Sequence, residues 1–276
     1  MNLVIQGNDI ATPDLKRLAK LAGASAIEAI TPAAFRLRNA TPNPQIAACC
    51  DEAKLDFAFV AEDRRLADFR LCVMDMDSTL ITIECIDEIA DMQGLKPQVA
   101  TITAAAMRGE LDYPQSLRQR VALLAGLDAG ALQRVYDERL RLSPGADAML
   151  AKFRQLGIKT LLVSGGFTFF TGRLQERLAL DYARSNVIEI ADGKLTGRVI
   201  GAIVDAGVKR TALLQARDEL GLKKEEIIAL GDGANDLKFM AEAGVSIAYH
   251  AKSVVRAQAT YALNYCGLDG VLNLFN

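Results

Sequence analysis

The sequence predicts an α/β fold: a parallel-sheet core with an all-helical insert, preceded by a small α+β domain. Three observations carry this. Apolar runs at residues 69–74, 159–163 and 227–230 are short and rich in branched side chains, as strands buried on both faces are. Each run ends in a polar cluster: Asp75-Met76-Asp77-Ser78-Thr79, Ser164-Gly165-Gly166, and Gly231-Asp232-Gly233-Ala234-Asn235-Asp236. Between the first two runs, roughly residues 84–140 read as helical, with no strand pattern. The 276 residues suffice for one large domain or two ordinary ones, and a 51% hydrophobic composition supplies a substantial core.

Residues 1–68 predict a β-α-β-β-α-β order, the ferredoxin-like pattern. Residues 3–6 read as a strand. Thr12-Pro13-Asp14 opens a helix to about Ala22, with Thr12 as N-cap and Pro13 at the first helical position. Residues 26–30 and 33–37 read as strands around Thr31-Pro32, Asn43-Pro44 opens a second helix to Lys54, and residues 57–60 close as a strand. Glu62-Asp63-Arg64-Arg65 is a polar bridge to the second domain, residues 69–276, whose helical insert spans about 84–143. Ser143-Pro144-Gly145 ends the insert and a helix follows at 146–156. The run at 159–163 then leads through Ser164-Gly165-Gly166 into a helix over 167–178. Asp192-Gly193 supplies the turn of a hairpin formed by 186–190 and 194–199. Residues 208–220 form a helix stopped by Gly221, and residues 234–243 form one after the last cluster. An all-helical insert between the first two strands of such a sheet is a cap over the strand ends.

Composition excludes several classes. A net charge of −2 without a basic tail gives nothing for nucleic acid. No apolar run approaches a membrane span, and the first residues lack the basic and apolar regions of a signal peptide. Five cysteines without a CxxC pair point to free thiols in a reducing cytoplasm. A single histidine, His250, leaves the chemistry to carboxylates, lysine, serine and backbone. Oligomeric state is not fixed; a homodimer is compatible.

Open α/β sheets bind ligands at the carboxyl ends of their strands. Those ends would gather carboxylates, a serine and glycine-freed amides, an inventory that suits Mg²⁺ and a phosphate. Asp75 and Asp77 would offer a nucleophile and an acid/base. Two solvated aspartates in a surface turn would read the same way. Ser164, Gly165 and Gly166 precede a helix and could receive an anion, or form an ordinary turn. Lys209 could hold nucleophile and phosphate together, or be a solvated charge. Asp232 lies at a strand end and is the better metal ligand. Asp236 could hold a metal-bound water or orient Lys209, and both could instead cap a helix.

The clusters in this order resemble the haloacid dehalogenase superfamily of phosphatases, over roughly residues 70–276. The resemblance implies a Rossmann-like sheet with a cap, Asp75 as nucleophile and Asp77 as acid/base. It also implies Mg²⁺ held by Asp75, the Asp77 carbonyl and Asp232, and phosphate held by Ser164, the Gly165 amide and Lys209. Glu84, nine positions after Asp75, and the segments Met107-Arg108-Gly109-Glu110-Leu111-Asp112-Tyr113 and Gln115-Ser116-Leu117-Arg118-Gln119-Arg120-Val121 are similar to the members acting on O-phospho-L-serine. By that similarity Glu84 meets the substrate ammonium, Arg120 its carboxylate, and Asn235 also faces the substrate, in the last step of serine biosynthesis. Carboxylate and guanidinium are the physical complements of an amino acid's two charges. Phosphoryl transfer to an alcohol such as homoserine is the neighbouring reading, and a non-catalytic amino-acid sensor the remote one. No candidate catalytic residue lies in residues 1–68, which are expected to be dispensable for the chemistry.

Overall fold

Residues 1–68 fold in the order that their alternation predicts. Strand β1 (Asn2–Gln6) leads to helix α1 (Thr12–Leu21), strands β2 (Ala26–Thr31) and β3 (Ala34–Arg38), helix α2 (Pro44–Glu52) and strand β4 (Asp56–Val60). The structure, a computed structural model, describes residues 1–276. These four strands form an antiparallel sheet in the order β2-β3-β1-β4. Side chains alternate across a strand, so Leu3 and Ile5 share one face. There they pack with Leu15 and Leu18 of α1 and Ile46 and Cys50 of α2. Asn43 caps α2 by accepting the Gln45 N–H at 3.0 Å. Helix α1 departs from expectation: Thr12 is already helical, and Ala11 precedes it without a side-chain cap. Proline in the first turn is tolerated there because its missing N–H has no intrahelical partner to lose.

The other elements follow the alternating pattern. Strand β5 (Leu71–Met74) is followed by helices α3 (Cys85–Asp91), α4 (Lys96–Met107), α5 (Tyr113–Ala122) and α6 (Gly130–Arg134). Then come α7 (Ala146–Leu156), β6 (Lys159–Phe167), α8 (Thr168–Leu178), the hairpin β7 (Tyr182–Ala191) and β8 (Lys194–Ile200), and α9 (Ala206–Glu219). The chain ends with β9 (Ile227–Gly231), α10 (Leu237–Met240), β10 (Val245–Tyr249), α11 (Ser253–Arg256) and β11 (Tyr261–Leu263). Seven strands form a second sheet in the order β11-β10-β9-β5-β6-β7-β8. Strands β9, β10 and β11 run parallel, as do β6 and β7, whereas β8 is antiparallel to β7. Asp192 and Gly193 turn the hairpin with φ of 49° and 74°, the left-handed region that Asp and Gly tolerate. No helix is long and apolar enough to cross a membrane. The five cysteines are unpaired and buried.

The chain divides into two compact units. The first holds Met1–Cys72, Ser143–Lys159 and Leu222–Asn276; the second holds Val73–Leu142 and Thr160–Gly221. Residues 1–68 thus share a unit with the C-terminal strands, and polar bonds explain why. Arg36 donates to the Phe275 carbonyl at 2.7 Å, and Asn273 donates to Gln6 at 2.8 Å. The Asp56 carboxylate, 1% exposed, accepts the N–H groups of Asn264, Tyr265 and Cys266 at 2.6, 3.0 and 2.9 Å. Removing it would strand backbone donors away from water, and each unsatisfied buried group costs about 1–3 kcal/mol. Asp56→Ala is therefore expected to lower the unfolding free energy by about 3–5 kcal/mol. Urea unfolding measures this, and a loss below about 1 kcal/mol would show that water replaces the carboxylate.

Candidate active site

The loop after β5 belongs to the second unit. Asp75 is buried, and its Oδ1 accepts the Met76 N–H at 2.7 Å. Its Oδ2 lies 2.8 Å from Nζ of Lys209. Lys209 sits in the first turn of α9, which Asp205 opens by accepting the Val208 N–H at 2.9 Å. At 1% exposure Lys209 is no solvated charge. Buried charges are retained only when paired, and Asp75 supplies the partner. Asp77 accepts the Cys85 N–H on Oδ1 at 2.9 Å and the Ser164 hydroxyl on Oδ2 at 3.2 Å. Burial still pushes its carboxyl above the usual range, against the opposing pull of those donors and of Lys209. A carboxyl held toward its protonated form is suited to give a proton away. Directly after Asp77, Ser78 adopts a left-handed φ of 56°, a sparsely populated conformation that sharpens the turn. Its hydroxyl donates to Glu84 Oε1 at 2.7 Å.

Strand β6 continues through Ser164, Gly165 and Gly166 to Phe167, so the expected helix begins one residue later, at Thr168. The register against β7 breaks between Val163 and Phe167, which frees these residues from the regular ladder. Ser164 is buried, and its Oγ accepts the Gly166 N–H at 2.8 Å. A Cβ on Gly166 would lie 2.8 Å from Met76 Cε and 2.9 Å from Asp77 Oδ2. A side chain there would push Met76 and the Asp77 carboxylate aside. The Gly165 carbonyl accepts Asn186 Nδ2 at 2.7 Å and the Tyr113 hydroxyl at 3.2 Å.

The helical insert contributes Glu84, at the start of α3, and Arg120, in the last turn of α5. Arg120 Nε is buried without a hydrogen-bond partner. Burial raises the Asp87 carboxyl, and the charges of Arg120 and Lys96 oppose that rise. Asp87, Tyr113 and Asn186 received no role from the sequence. A carboxylate three positions from Glu84 carries no separate signal, and a side chain that holds a single carbonyl leaves no motif.

The loop after β9 belongs to the first unit. Asp236 is fully buried, and its Oδ2 accepts the N–H groups of Asp232 at 3.2 Å and Gly233 at 3.0 Å. Asn235 Nδ2 donates to its Oδ1 at 3.3 Å. The expected helix from Ala234 starts only at Leu237, because Asp236 spends its carboxylate on closing the turn before it. The Asp232 carbonyl accepts the Lys252 N–H at 3.1 Å. Within the first unit Asp232 and Asp236, and within the second Asp75, offer carboxylate oxygens, the donor type that suits a hard divalent cation.

The haloacid dehalogenase-like hydrolase family matches residues 69–244 of this sequence. The chain belongs to that family. A domain of unknown function matches residues 3–46. The chain is 55% identical over 217 residues to the phosphoserine phosphatase of Polaromonas sp. (strain JS666 / ATCC BAA-500), covering 77% of this chain and 92% of that protein. The crystal structure of a probable phosphoserine phosphatase from Vibrio cholerae, in unliganded form, superposes with a TM-score of 0.87 at 36% identity, covering 99% of this chain and 86% of the other. A structure described as a phospho-aspartyl intermediate analogue of phosphoserine phosphatase superposes with a TM-score of 0.70 at 35% identity, covering 75% and 99%. Members of this hydrolase family typically use a divalent metal, which agrees with the carboxylate donors described above.

Proposed function

We propose that this hydrolase is a Mg²⁺-dependent phosphoserine phosphatase, converting O-phospho-L-serine and water to L-serine and phosphate. The observation that carries it is the buried Asp75–Lys209 pair, with Asp77 two residues on held by the Cys85 N–H and the Ser164 hydroxyl. The named relatives support the substrate.

Asp75 attacks phosphorus and forms an aspartyl-phosphate as the bond to the serine oxygen breaks. Asp77 gives its proton to that departing oxygen. Water then attacks phosphorus, Asp77 takes its proton, and Asp75 is released. Lys209 balances the negative charge of nucleophile and phosphate, while Ser164 and the Gly165 amide receive phosphate oxygens. Asp75, the Asp77 backbone carbonyl and Asp232 are the residues that would hold Mg²⁺, with Asp236 fixing the Asp232 turn. When bound, the ion would offset the repulsion between carboxylate and phosphate. Glu84 pairs with the substrate ammonium, Arg120 with its carboxylate, and Asn235 lies toward the same ligand. Five unpaired thiols favour a reducing compartment, and we place the activity in the cytoplasm.

A phosphate-release assay with phosphoserine, without any alcohol acceptor, tests the reading. Release that requires an added alcohol would make the enzyme a phosphotransferase instead. Excess chelator is expected to abolish turnover, and added Mg²⁺ to restore it. Asp232→Ala is expected to raise the Mg²⁺ concentration needed for half-maximal activity by at least about tenfold, since it removes a direct ligand. Full activity in chelator would overturn the metal assignment.

A further inference from the structure

The register of β6 against β7 breaks between Val163 and Phe167, so the β6–β7 ladder does not hold the Gly165 carbonyl. Two side chains do. Asn186, buried on β7, donates to it and uses its own Oδ1 to accept the Val204 N–H at 2.8 Å. Val204 precedes Asp205, the cap of the helix that carries Lys209. Tyr113 takes the carbonyl's second lone pair. A Cβ on Gly165 would fall 1.9 Å from the Tyr113 oxygen, so the contact needs glycine at that place.

Tyr113 is itself held. It is the first residue of α5, where Asp112 and Gln115 cap each other reciprocally at 2.7 and 3.0 Å. Burial raises its phenol to about 12, so the hydroxyl stays a donor at neutral pH. Arg120 follows seven positions later, two helical turns along the same face.

We propose that the Tyr113 hydroxyl is a positioning group that clasps α5, and with it Arg120, to the Ser164–Gly165–Gly166 loop through the carbonyl that Asn186 holds. This rests on the reading of that loop as the phosphate site and of Arg120 as the carboxylate site. The clasp sets the spacing between the two ends of the substrate. Its contribution is made to bound substrate and transition state alike, so it acts on KM more than on kcat.

Tyr113→Phe keeps the ring and removes the hydroxyl. The phosphoserine KM and the inhibition constant of inorganic phosphate, read with an aryl phosphate reporter, are expected to rise together by about three- to tenfold, the worth of one hydrogen bond. The change in kcat should be smaller, and the melting temperature should hold. Unchanged constants would overturn the proposal, as would a lower melting temperature with kcat falling alongside, which marks a packing role alone. Asn186→Asp keeps the acceptor for Val204 but loses the donor to Gly165, and should raise the same two constants. The double variant should change them by less than the product of the single effects, because both groups act on one carbonyl. A fully multiplicative result would refute the shared carbonyl. If Asn186→Asp does not fold, Tyr113→Phe decides alone. The inorganic phosphate constant needs no phosphoserine. A wild type that ignores phosphoserine therefore defeats the substrate reading, while the clasp stands or falls on its own constant.

Discussion

Asp75→Asn is expected to reduce kcat by about 10³-fold or more, because it removes the proposed nucleophile. The substitution keeps the shape and one oxygen, so the Met76 N–H retains an acceptor at the position it uses now. It does remove the negative partner of Lys209, which is 1% exposed. Breaking a buried pair costs about 3–5 kcal/mol, so the variant must first be shown to be folded. Lys209→Met combined with Asp75→Asn gives that control, since it removes the stranded charge with little loss of volume. Stability should recover in the double variant while activity stays absent. The decisive measurement is covalent. Phosphoserine labelled at phosphorus, quenched during turnover, should leave its label on the peptide that contains Asp75. A label on any other residue, or full turnover by Asp75→Asn, would remove the nucleophile assignment.

How far the sequence exposed this site depends on what each residue bonds to. The strand ends were legible because branched apolar runs stop at Asp and Gly clusters; β5 and β9 do end there, whereas β6 runs on through Ser164-Gly165-Gly166 to Phe167. Lys209 gave only a weak signal, since a lone lysine is ordinarily solvated; its burial on Asp75 is a tertiary fact. The ferredoxin-like order of residues 1–68 was readable from alternation and prolines. Its attachment to the C-terminal segment was not. Asp56 reaches the N–H groups of Asn264, Tyr265 and Cys266, about two hundred positions away, and backbone donors carry no side-chain signature. That attachment weighs against residues 1–68 being freely removable, because truncation would expose the partners of Asp56 and Arg36. Strand β11, three residues long, is too short for a periodic signal. The helix after β9 starts later than its sequence predicts for a local reason: the Asp236 carboxylate closes the preceding turn on the Asp232 and Gly233 N–H groups.

Arg120→Ala is expected to lower kcat/KM for phosphoserine while barely changing that for an aryl phosphate without a carboxylate. The guanidinium has a buried Nε with no protein partner, as expected of a donor awaiting a ligand. Closing the insert over the substrate would exclude water, and losing one member of a desolvated pair costs about 2–5 kcal/mol. That corresponds to roughly 30- to 5,000-fold in rate. A lysine would restore charge without the two-pronged grip, so Arg120→Lys should recover only part of the loss. Part of any effect could arise through Asp87, whose carboxyl Arg120 holds down against burial. Asp87→Asn separates the two: if Arg120 acts on the substrate, the Asn variant with Arg120 intact should keep its preference for phosphoserine. Glu84→Gln should show the matching loss on the ammonium side, with the Ser78 hydroxyl still able to donate to the remaining oxygen. The comparison that decides is wild-type kcat/KM for phosphoserine against phosphoethanolamine, which keeps the ammonium but lacks the carboxylate. A strong preference for phosphoserine that Arg120→Ala abolishes places the carboxylate at Arg120. Equal use of both by the wild type would show that Arg120 does not select the substrate, and the enzyme would then be a phosphatase of different specificity.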